Sequence, residues 1–416
     1  MSLVRKNIFV LFLIQGTNYI FPLLTIPYLS RIFGPTGIGA LALAQAVILY
    51  LVLVIDFGFN LTVTRRISIA YEKNDNLEIN QLYTQTLLIK MIIFLIVALL
   101  VFVLCQMVPQ LFDVKMLIYI GFVSLLGTAV NPIWLFQGMQ RMTVLLIPTT
   151  LSKLISLALI FIFVKNKQDL NLAMLFTSLG AFISSVISLF YVRKLKLAVF
   201  SGINLVKTRM LVQESFYVFL SYLGSSVYTT MNTFIMSFFV GLRDIGIYSS
   251  ADKVVGTAHS LMAPIHQAIF PNLSSFSDKN EYLKKFRRYG ILLVMLGSFI
   301  SILLFFFSKI IILILFGKEF EESYKILQIL SVLPIIISLG ILFGQWGLIV
   351  IGESKLLGKV YLIAGFVHLT HIFILLHFFG IYGAAISILL TESIASLMLF
   401  LGFYKKVKKW KLKALE

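Results

Sequence analysis

Long apolar runs dominate the chain, and polar residues collect in short connections between them. A helix that spans a membrane needs roughly 20 consecutive, mostly apolar residues. Twelve stretches meet this requirement. The predicted spans are 8–29, 38–59, 85–107, 116–136, 143–164, 170–192, 214–240, 247–270, 289–316, 324–350, 359–378 and 381–403. The pattern therefore predicts an all-α integral membrane protein with twelve transmembrane helices.

Basic residues are distributed unevenly among the connections. Of the 35 Lys and Arg residues, 24 lie at the two ends and in every second connection, whereas the alternate connections hold seven. Connections rich in Lys and Arg face the cytoplasm. We therefore expect both termini to be cytoplasmic, as an even number of spans requires.

Composition excludes most soluble classes of protein. Of the 416 residues, 59% are hydrophobic and only 12% are charged, whereas soluble chains carry about 25% charged residues. The net charge of +18 does not indicate a nucleic-acid partner, because the basic residues lie between apolar runs rather than on one polar face. One cysteine and five scattered histidines give no zinc-ligand spacing. We expect contact with membrane lipids, and no metal or cofactor.

The chain contains a weak internal repeat. Four positions match four others at one constant offset of 207 residues. The pairs are Gly34 with Gly241, Gly39 with Gly246, Ala44 with Ala251, and Gln45 with Asp252. Six spans per half predict two lobes related by a pseudo-two-fold axis along the membrane normal. The predicted parts are lobes 1–192 and 214–404, a cytoplasmic linker 193–213 and a basic cytoplasmic tail 405–416. The two matched turns are expected on the same side and close together.

Polar side chains follow one face of span one and one face of span seven. The stripe on span one consists of Gln15, Asn18, Pro22 and Thr25, and the stripe on span seven consists of Ser221, Ser225, Tyr228 and Asn232. Both are spaced at helical intervals. Such residues also hydrogen-bond between packed helices. The sequence leaves open whether the stripes line a cavity or join helices.

Ionisable groups inside the spans are candidates for function, since they are costly in hydrocarbon. On one face of span eight lie Asp252, Gly256, His259, Ala263 and His266, with Lys253 beside them. Asp252 and Lys253 could instead snorkel from a helix end, and structural hydrogen bonds are the favoured role of the histidines. Lys153, near the middle of span five, is the best candidate for an interior cation.

Further ionisable groups have ambiguous positions. Asp56 and Lys90 lie near the ends of spans and could be interfacial, whereas Glu392 lies near the middle of span twelve. Asp56 and Glu392 are candidates for ion coupling, and Glu392 could alternatively pair with Lys153. His368 and His371 share a face of span eleven, but without a nearby acid or cysteine they do not predict a metal site.

Several segments resemble a known family. The most specific are Asn131–Met142 (NPIWLFQGMQRM), Gly34–Gly39 (GPTGIG), Gly246–Lys253 (GIYSSADK) and Phe316–Phe320 (FGKEF). With them, nearly the whole chain resembles the O-antigen or oligosaccharide-unit flippases of the multidrug/oligosaccharidyl-lipid/polysaccharide exporter superfamily.

The resemblance implies a V-shaped, two-lobed bundle in the bacterial inner membrane. Its implied activity is to move an undecaprenyl-diphosphate-linked oligosaccharide from the cytoplasmic to the periplasmic leaflet for lipopolysaccharide biosynthesis. A polymerase and a chain-length regulator of the same pathway are possible partners. The expected cleft-lining residues are Asn18, Thr25, Lys153, Ser225, Tyr228, Asn232, Asp252, Lys253 and His259.

Two alternatives remain open. The nearer alternative is a drug antiporter of the same superfamily or a flippase of another lipid-linked substrate. Proton-coupled antiporters typically carry an acid in the first helix, where this chain has only Gln15 and Asn18. A polymerase or glycosyltransferase enzyme is more distant. Such enzymes usually carry a long outer loop, and here the acid-rich stretch of the short outer connections is limited to Glu319, Glu321 and Glu322.

Overall fold

The computed structural model describes residues 3–274 and 278–412, and all regular elements in these ranges are helical. The α-helices are α1 (Leu3–Asp56), α2 (Phe59–Glu72), α3 (Asn76–Met107), α4 (Lys115–Val130), α5 (Ile133–Gly138), α6 (Met142–Phe163), α7 (Leu170–Lys194), α8 (Leu205–Thr229), α9 (Asn232–Met236), α10 (Leu242–Ser260), α11 (Ala263–Ser274), α12 (Lys279–Leu315), α13 (Ser323–Leu330), α14 (Leu333–Gly340) and α15 (Ser354–Leu412). A π-helical segment covers Ile341–Ile349, and 3-10 turns cover Pro109–Val114, Lys167–Asp169 and Lys318–Phe320.

The chain divides into two compact units. The first combines the residues up to Phe33 with Ala40–Leu223, and the second combines Gly34–Gly39 with the residues from Gly224 onward. Six residues from the middle of α1 therefore belong to the second unit, together with the segment that repeats them.

Eight helical segments in the described ranges are long and apolar enough to cross a membrane. The first, Leu24–Glu72, has 49 residues and the last, Ser354–Lys408, has 55. A single crossing takes roughly 20 residues, so each of these two segments is long enough for two crossings. The structure shows a multi-span helical membrane protein.

Single glycines break α1 and α15 at the predicted joins between spans. Gly34 has φ 62° and Gly380 has φ 53°, a region that residues with a Cβ avoid. The helix resumes at Pro35, because proline is well suited to the first helical position. The predicted turn over Gly34–Gly39 is therefore wrong in extent, since the helix is interrupted only at Gly34.

Spans eight and ten were predicted as single helices, and the structure corrects both. Span eight is divided at Leu261–Met262 into α10 and α11, and span ten is divided at Ser331–Val332 into α13 and α14. Pro264 and Pro334 follow these interruptions. Each lacks the N–H that would continue the helical ladder. Span seven is likewise divided into α8 and α9.

Helices extend into both the predicted linker and the predicted tail. Because α7 continues to Lys194 and α8 begins at Leu205, the non-helical part of the predicted 193–213 linker is limited to 195–204. The predicted basic tail from residue 405 continues α15 as far as Leu412. Residues 413–416 lie outside the described residues.

The Asn131–Met142 motif forms part of the core of the first unit. Trp134, Leu135 and Phe136 are fully buried with Phe59, Val63 and other apolar residues of α2. A Cβ on Gly138 would clash with the side chain of Ile67. The segment that carries the family resemblance therefore packs α5 against α2.

Candidate functional site

The matched turns, which are the helix starts at Gly34–Gly39 and Gly241–Gly246, are in direct backbone contact within the second unit. A Cβ on Gly39 would collide with the carbonyl oxygen of Leu242, and a Cβ on Gly246 would collide with the carbonyl oxygen of Pro35. Pro35 and Leu242 are themselves matched by the repeat offset. The contact is therefore reciprocal, as a two-fold relation requires, and the predicted approach of the turns is present in the structure.

The acid-rich stretch after α12 carries three glutamates with described contacts. Glu321 forms an ion pair with Lys309 at 2.7 Å, and Glu322 forms one with Arg243 at 3.2 Å. The hydrogen bond from Lys309 lowers the pKa of the Glu321 carboxyl. Glu319 lies against Gly34, with its Oε2 2.6 Å from the position that a Cβ would occupy. Glu319 and Glu322 therefore contact the two matched segments, whereas Glu321 contacts α12.

A buried ion pair joins α1 and α3 in the first unit. Lys90 Nζ lies 3.2 Å from Asp56 Oδ1, and their side chains are 1% and 19% exposed. Lys90 is therefore enclosed by protein and paired with an acid. Because Lys90 balances the charge of Asp56, this acid is less available to a coupling cation than the sequence suggested.

Lys153 lies near the middle of α6 and is half-buried. The large exposed side chains of this helix form one stripe that includes Ile147, Leu151, Leu154 and Ile162. At 100° per residue, Lys153 is displaced by about 160° from Leu151, so it points away from this stripe. The buried hydroxyls of Ser152 and Ser156 flank it. The position is compatible with an interior cation.

The predicted stripe on span one is described only in part. Thr25 is buried, and its Oγ1 donates a 2.9 Å hydrogen bond to the carbonyl of Phe21 in the same helix. This bond favours a structural role for the hydroxyl. The side chains of Asn18, Ser225 and Tyr228 lie outside the described part of the structure.

In the second unit, Asn232 meets the polar face of α10. Its Nδ2 donates a 2.8 Å hydrogen bond to Tyr248 Oη, and both residues are buried. Among the described residues, no group donates a hydrogen bond to Asn232 Oδ1. Asp252 lies one helical turn after Tyr248, and Lys253 follows it. Sequence reasoning missed Tyr248, although its spacing of four residues from Asp252 was visible.

The histidines of span eight have separate environments. His259 lies in the last turn of α10, whereas His266 lies on α11, so the predicted continuous face is interrupted. Trp346 Nε1 donates a 2.8 Å hydrogen bond to His266 Nδ1, and Tyr282 Oη donates to the Trp346 carbonyl at 2.8 Å. His266 therefore has the structural role that the sequence favoured.

His368 and His371 form a hydroxyl-linked network with Ser387 and Thr391. Thr391 Oγ1 donates to the Ser387 carbonyl at 2.8 Å, so it must accept from the His368 and His371 nitrogens at 2.8 and 3.3 Å. Ser387 Oγ is then able to donate to His371 Nδ1 at 3.0 Å. This arrangement pairs the two hydroxyls with three of the imidazole nitrogens while both imidazoles are neutral.

The remaining candidates are distributed between the units. Thr25, Asp56 and Lys153 belong to the first unit, and the described candidates of the second are Asn232, Asp252, Lys253, His259 and Glu392. Glu392 is half-buried and follows Thr391 on α15. Within the described ranges, no group of three or more His, Cys, Asp or Glu side chains is arranged to hold a metal ion.

Comparison with known proteins finds a matching family model and similar chains. The family model described as polysaccharide biosynthesis protein matches residues 4–277. Three of the relatives are named "Putative O-antigen transporter". The relative from Shigella dysenteriae is 36% identical over 391 residues, covering 93% of this chain and 97% of its own. The relative from Escherichia coli strain K12 is 31% identical over 410 residues, covering 95% of each chain.

A solved structure supports the fold independently. The lipid II flippase MurJ, in an inward closed conformation, superposes with a TM-score of 0.76 over 95% of this chain and 86% of that one. The sequence identity is 13%, so this likeness concerns the fold alone.

Proposed function

The chain belongs to the polysaccharide biosynthesis protein family, and we propose that it is a flippase for lipid-linked oligosaccharides of the O-antigen type. The similarity to the Shigella dysenteriae relative, which extends over 93% of the chain, is the observation that carries this proposal. The substrate would be an undecaprenyl-diphosphate-linked repeat unit that moves from the cytoplasmic to the periplasmic leaflet. The function is transport rather than enzymatic catalysis.

The proposed architecture has twelve spans in two six-helix lobes around a V-shaped central cleft. The lengths of Leu24–Glu72 and Ser354–Lys408, with the breaks at Gly34 and Gly380, support two crossings in each. The reciprocal contact of Gly39 and Gly246 supports a two-fold relation between the repeats. The proposed lobes are 1–192 and 214–404, with both termini and the linker in the cytoplasm, as the basic residues indicate.

The proposed substrate contacts are a cation and polar groups from both repeats. Lys153 would attract the diphosphate or acidic sugars, because an ammonium held at mid-membrane is favourable mainly beside water or an anion. The hydroxyls and amides of the cleft would bind sugar. The remaining proposed residues are Asn18, Thr25, Ser225, Tyr228, Asn232, Asp252, Lys253 and His259.

Glu392 is the stronger of the two candidates for ion coupling. Asp56 already has a cationic partner in Lys90, whereas Glu392 lies half-buried on α15 and, among the described residues, forms no ion pair. A polymerase and a chain-length regulator remain proposed partners.

Complementation of a strain that lacks its own O-antigen flippase tests the proposal. Wild-type protein should restore surface polysaccharide, and Lys153→Ala should reduce it about tenfold, the equivalent of one charge-assisted hydrogen bond. Lys153→Arg should retain more activity because it keeps the charge. Lys165→Ala, beyond the end of α6, is the matched control.

The amount of each variant in the membrane must be measured in parallel. A normal amount of Lys153→Ala protein with full transport would remove Lys153 from the binding site. Failure of the wild-type protein to restore polysaccharide, when it is inserted and abundant, would contradict the proposed substrate class in that strain.

A further inference from the structure

A cavity outside the proposed cleft residues opens in the first unit, between α3, α4, α7 and the 195–204 segment. Its volume is about 570 Å³, within the usual range of ligand pockets. Buried Tyr83, Leu87 and Val192 contribute to its lining, as do exposed Val199 and Phe200. The cavity is therefore apolar along most of its surface.

Side chains of α3 hold the 195–204 segment in place along this cavity. Asn80 Oδ1 accepts a hydrogen bond from the Val199 amide, and Thr84 Oγ1 accepts one from the Ser201 amide, both at 2.9 Å. Asn80 and Thr84 are one helical turn apart, so they hold alternate residues of the segment. Specific hydrogen bonds therefore hold this side of the cavity in place.

Two cations complete the lining. Arg193 and Lys196 both border the cavity and are exposed. Among the described residues, neither forms an ion pair. Two positive charges beside an apolar cavity are complementary to a ligand with an anionic head and an apolar tail.

The backbone of Lys196 adopts a left-handed conformation at the end of α7. Its φ is 48°, a left-handed conformation that favours glycine. The Leu197 amide bonds to the Val192 carbonyl at 3.0 Å and the Lys196 amide to the Arg193 carbonyl at 3.2 Å. These bonds form the helix-ending motif in which glycine is usual at this position. A lysine is therefore held where its backbone conformation is unfavourable.

The exposed side chains near the mouth indicate which phase the ligand comes from. Val199 and Phe200 of the lining are 59% and 70% exposed, and Leu205, at the start of α8, is 79% exposed. Large apolar side chains exposed beside basic residues are typical of a segment lying at the membrane interface. The ligand is therefore expected to enter from lipid.

We propose that this cavity binds an anionic phospholipid of the leaflet that faces the linker. Arg193 and Lys196 hold the headgroup phosphate, and one acyl chain occupies the apolar lining beside Tyr83 and Leu87. The site is separate from the flippase function proposed above. Its role is to anchor the 195–204 segment, which connects α7 to α8, to the bilayer.

Native mass spectrometry of delipidated, purified full-length protein tests this proposal. The protein is titrated with phosphatidylglycerol or with phosphatidylcholine carrying the same acyl chains. Wild-type protein should bind phosphatidylglycerol more tightly. Arg193→Gln and Lys196→Gly should each weaken that binding about fivefold, since each basic residue near an anionic surface contributes about that much.

The variants separate lipid binding from folding. Lys196→Gly removes the charge and relieves the backbone conformation, so its thermal stability without added lipid should equal or exceed that of wild type. Lys194→Gln removes a neighbouring charge that does not line the cavity and should leave binding unchanged. Leu88→Trp, which fills the apolar lining, should weaken binding of the lipid without altering charge.

Three results would overturn the proposal. Equal binding of the two lipids by wild-type protein would exclude recognition of the headgroup. An equal loss in Lys194→Gln and Lys196→Gly would indicate a diffuse basic surface. Displacement of phosphatidylglycerol by an equimolar polyprenyl diphosphate in wild type, lost in Lys196→Gly, would assign the cavity to the transported substrate.

Discussion

At the matched turns, each sequence repeat makes the same backbone contact with the other. The buried polar groups, in contrast, differ in kind between the two units. Gly39 and Gly246 meet the carbonyls of Leu242 and Pro35 in a reciprocal contact. In the first unit, a buried cation is balanced by an acid in the pair Lys90–Asp56. In the second unit, hydrogen bonds between neutral groups join His368, His371, Ser387 and Thr391.

The difference shows which features a repeat retains. Backbone contact depends on small residues at fixed spacing. The glycines that permit this contact recur at positions 207 residues apart in the sequence. Buried polar groups must be satisfied one by one, and each repeat solves this with its own side chains. An ion pair and a neutral network therefore respond differently to the loss of one member.

The largest effect is expected for Asp56→Asn. Removing the acid leaves the buried Lys90 charge without compensation, which costs about 3–5 kcal/mol of unfolding free energy. Thermal unfolding of the purified protein in detergent measures the loss. Asp113→Asn, at an exposed acid, is the control, and Asp56→Asn combined with Lys90→Gln should recover part of the stability. Equal stability of Asp56→Asn and wild type would show that the pair is not effectively buried.

An intermediate effect is expected at the matched turns. Gly39→Ala and Gly246→Ala each place a Cβ against a carbonyl oxygen, and such overpacking costs about 1–3 kcal/mol. Because the contact is reciprocal, the two losses should be similar. Gly241→Ala is the control, since a Cβ there has no other atom within 4 Å. Losses of stability that differ strongly between Gly39→Ala and Gly246→Ala would contradict a reciprocal contact.

The smallest effect is expected in the histidine network. Thr391→Val removes a hydroxyl that bonds both imidazoles, but Ser387 remains within 3.3 Å of His368 Nδ1. We expect a loss of about 1 kcal/mol, the value of a typical net hydrogen bond. Thr370→Val, at an exposed hydroxyl of the same helix, is the control. A loss as large as that of Asp56→Asn would mean that the network carries charge.

Apolar length and repeat spacing predicted the large features of the fold. Runs of about 20 residues marked helices such as α6 and α7, because lipid requires that length. The offset between Gly39 and Gly246 predicted their proximity. Interruptions before Pro264 and Pro334 were missed, although a proline inside an apolar run is a visible signal.

Partners of buried polar groups were not predictable to the same degree. Asp56 and Lys90 are 34 residues apart on different helices, and sequence periodicity does not specify which faces of α1 and α3 meet. His368 and His371 were placed on one face by their spacing, but Ser387 and Thr391 were not identified as their partners. The missing information was that α15 brings these two pairs together around the break at Gly380.

The most direct test of the proposed function is translocation by the purified protein in liposomes. An undecaprenyl-diphosphate-linked oligosaccharide is placed in both leaflets, and its accessibility to a membrane-impermeant glycosidase is measured over time. Without a flippase, only the outer half should be digested. With wild-type protein, digestion should continue towards completion, and it should be about tenfold slower with Lys153→Ala than with Lys165→Ala. Digestion that stops at half with correctly inserted wild-type protein would contradict the account.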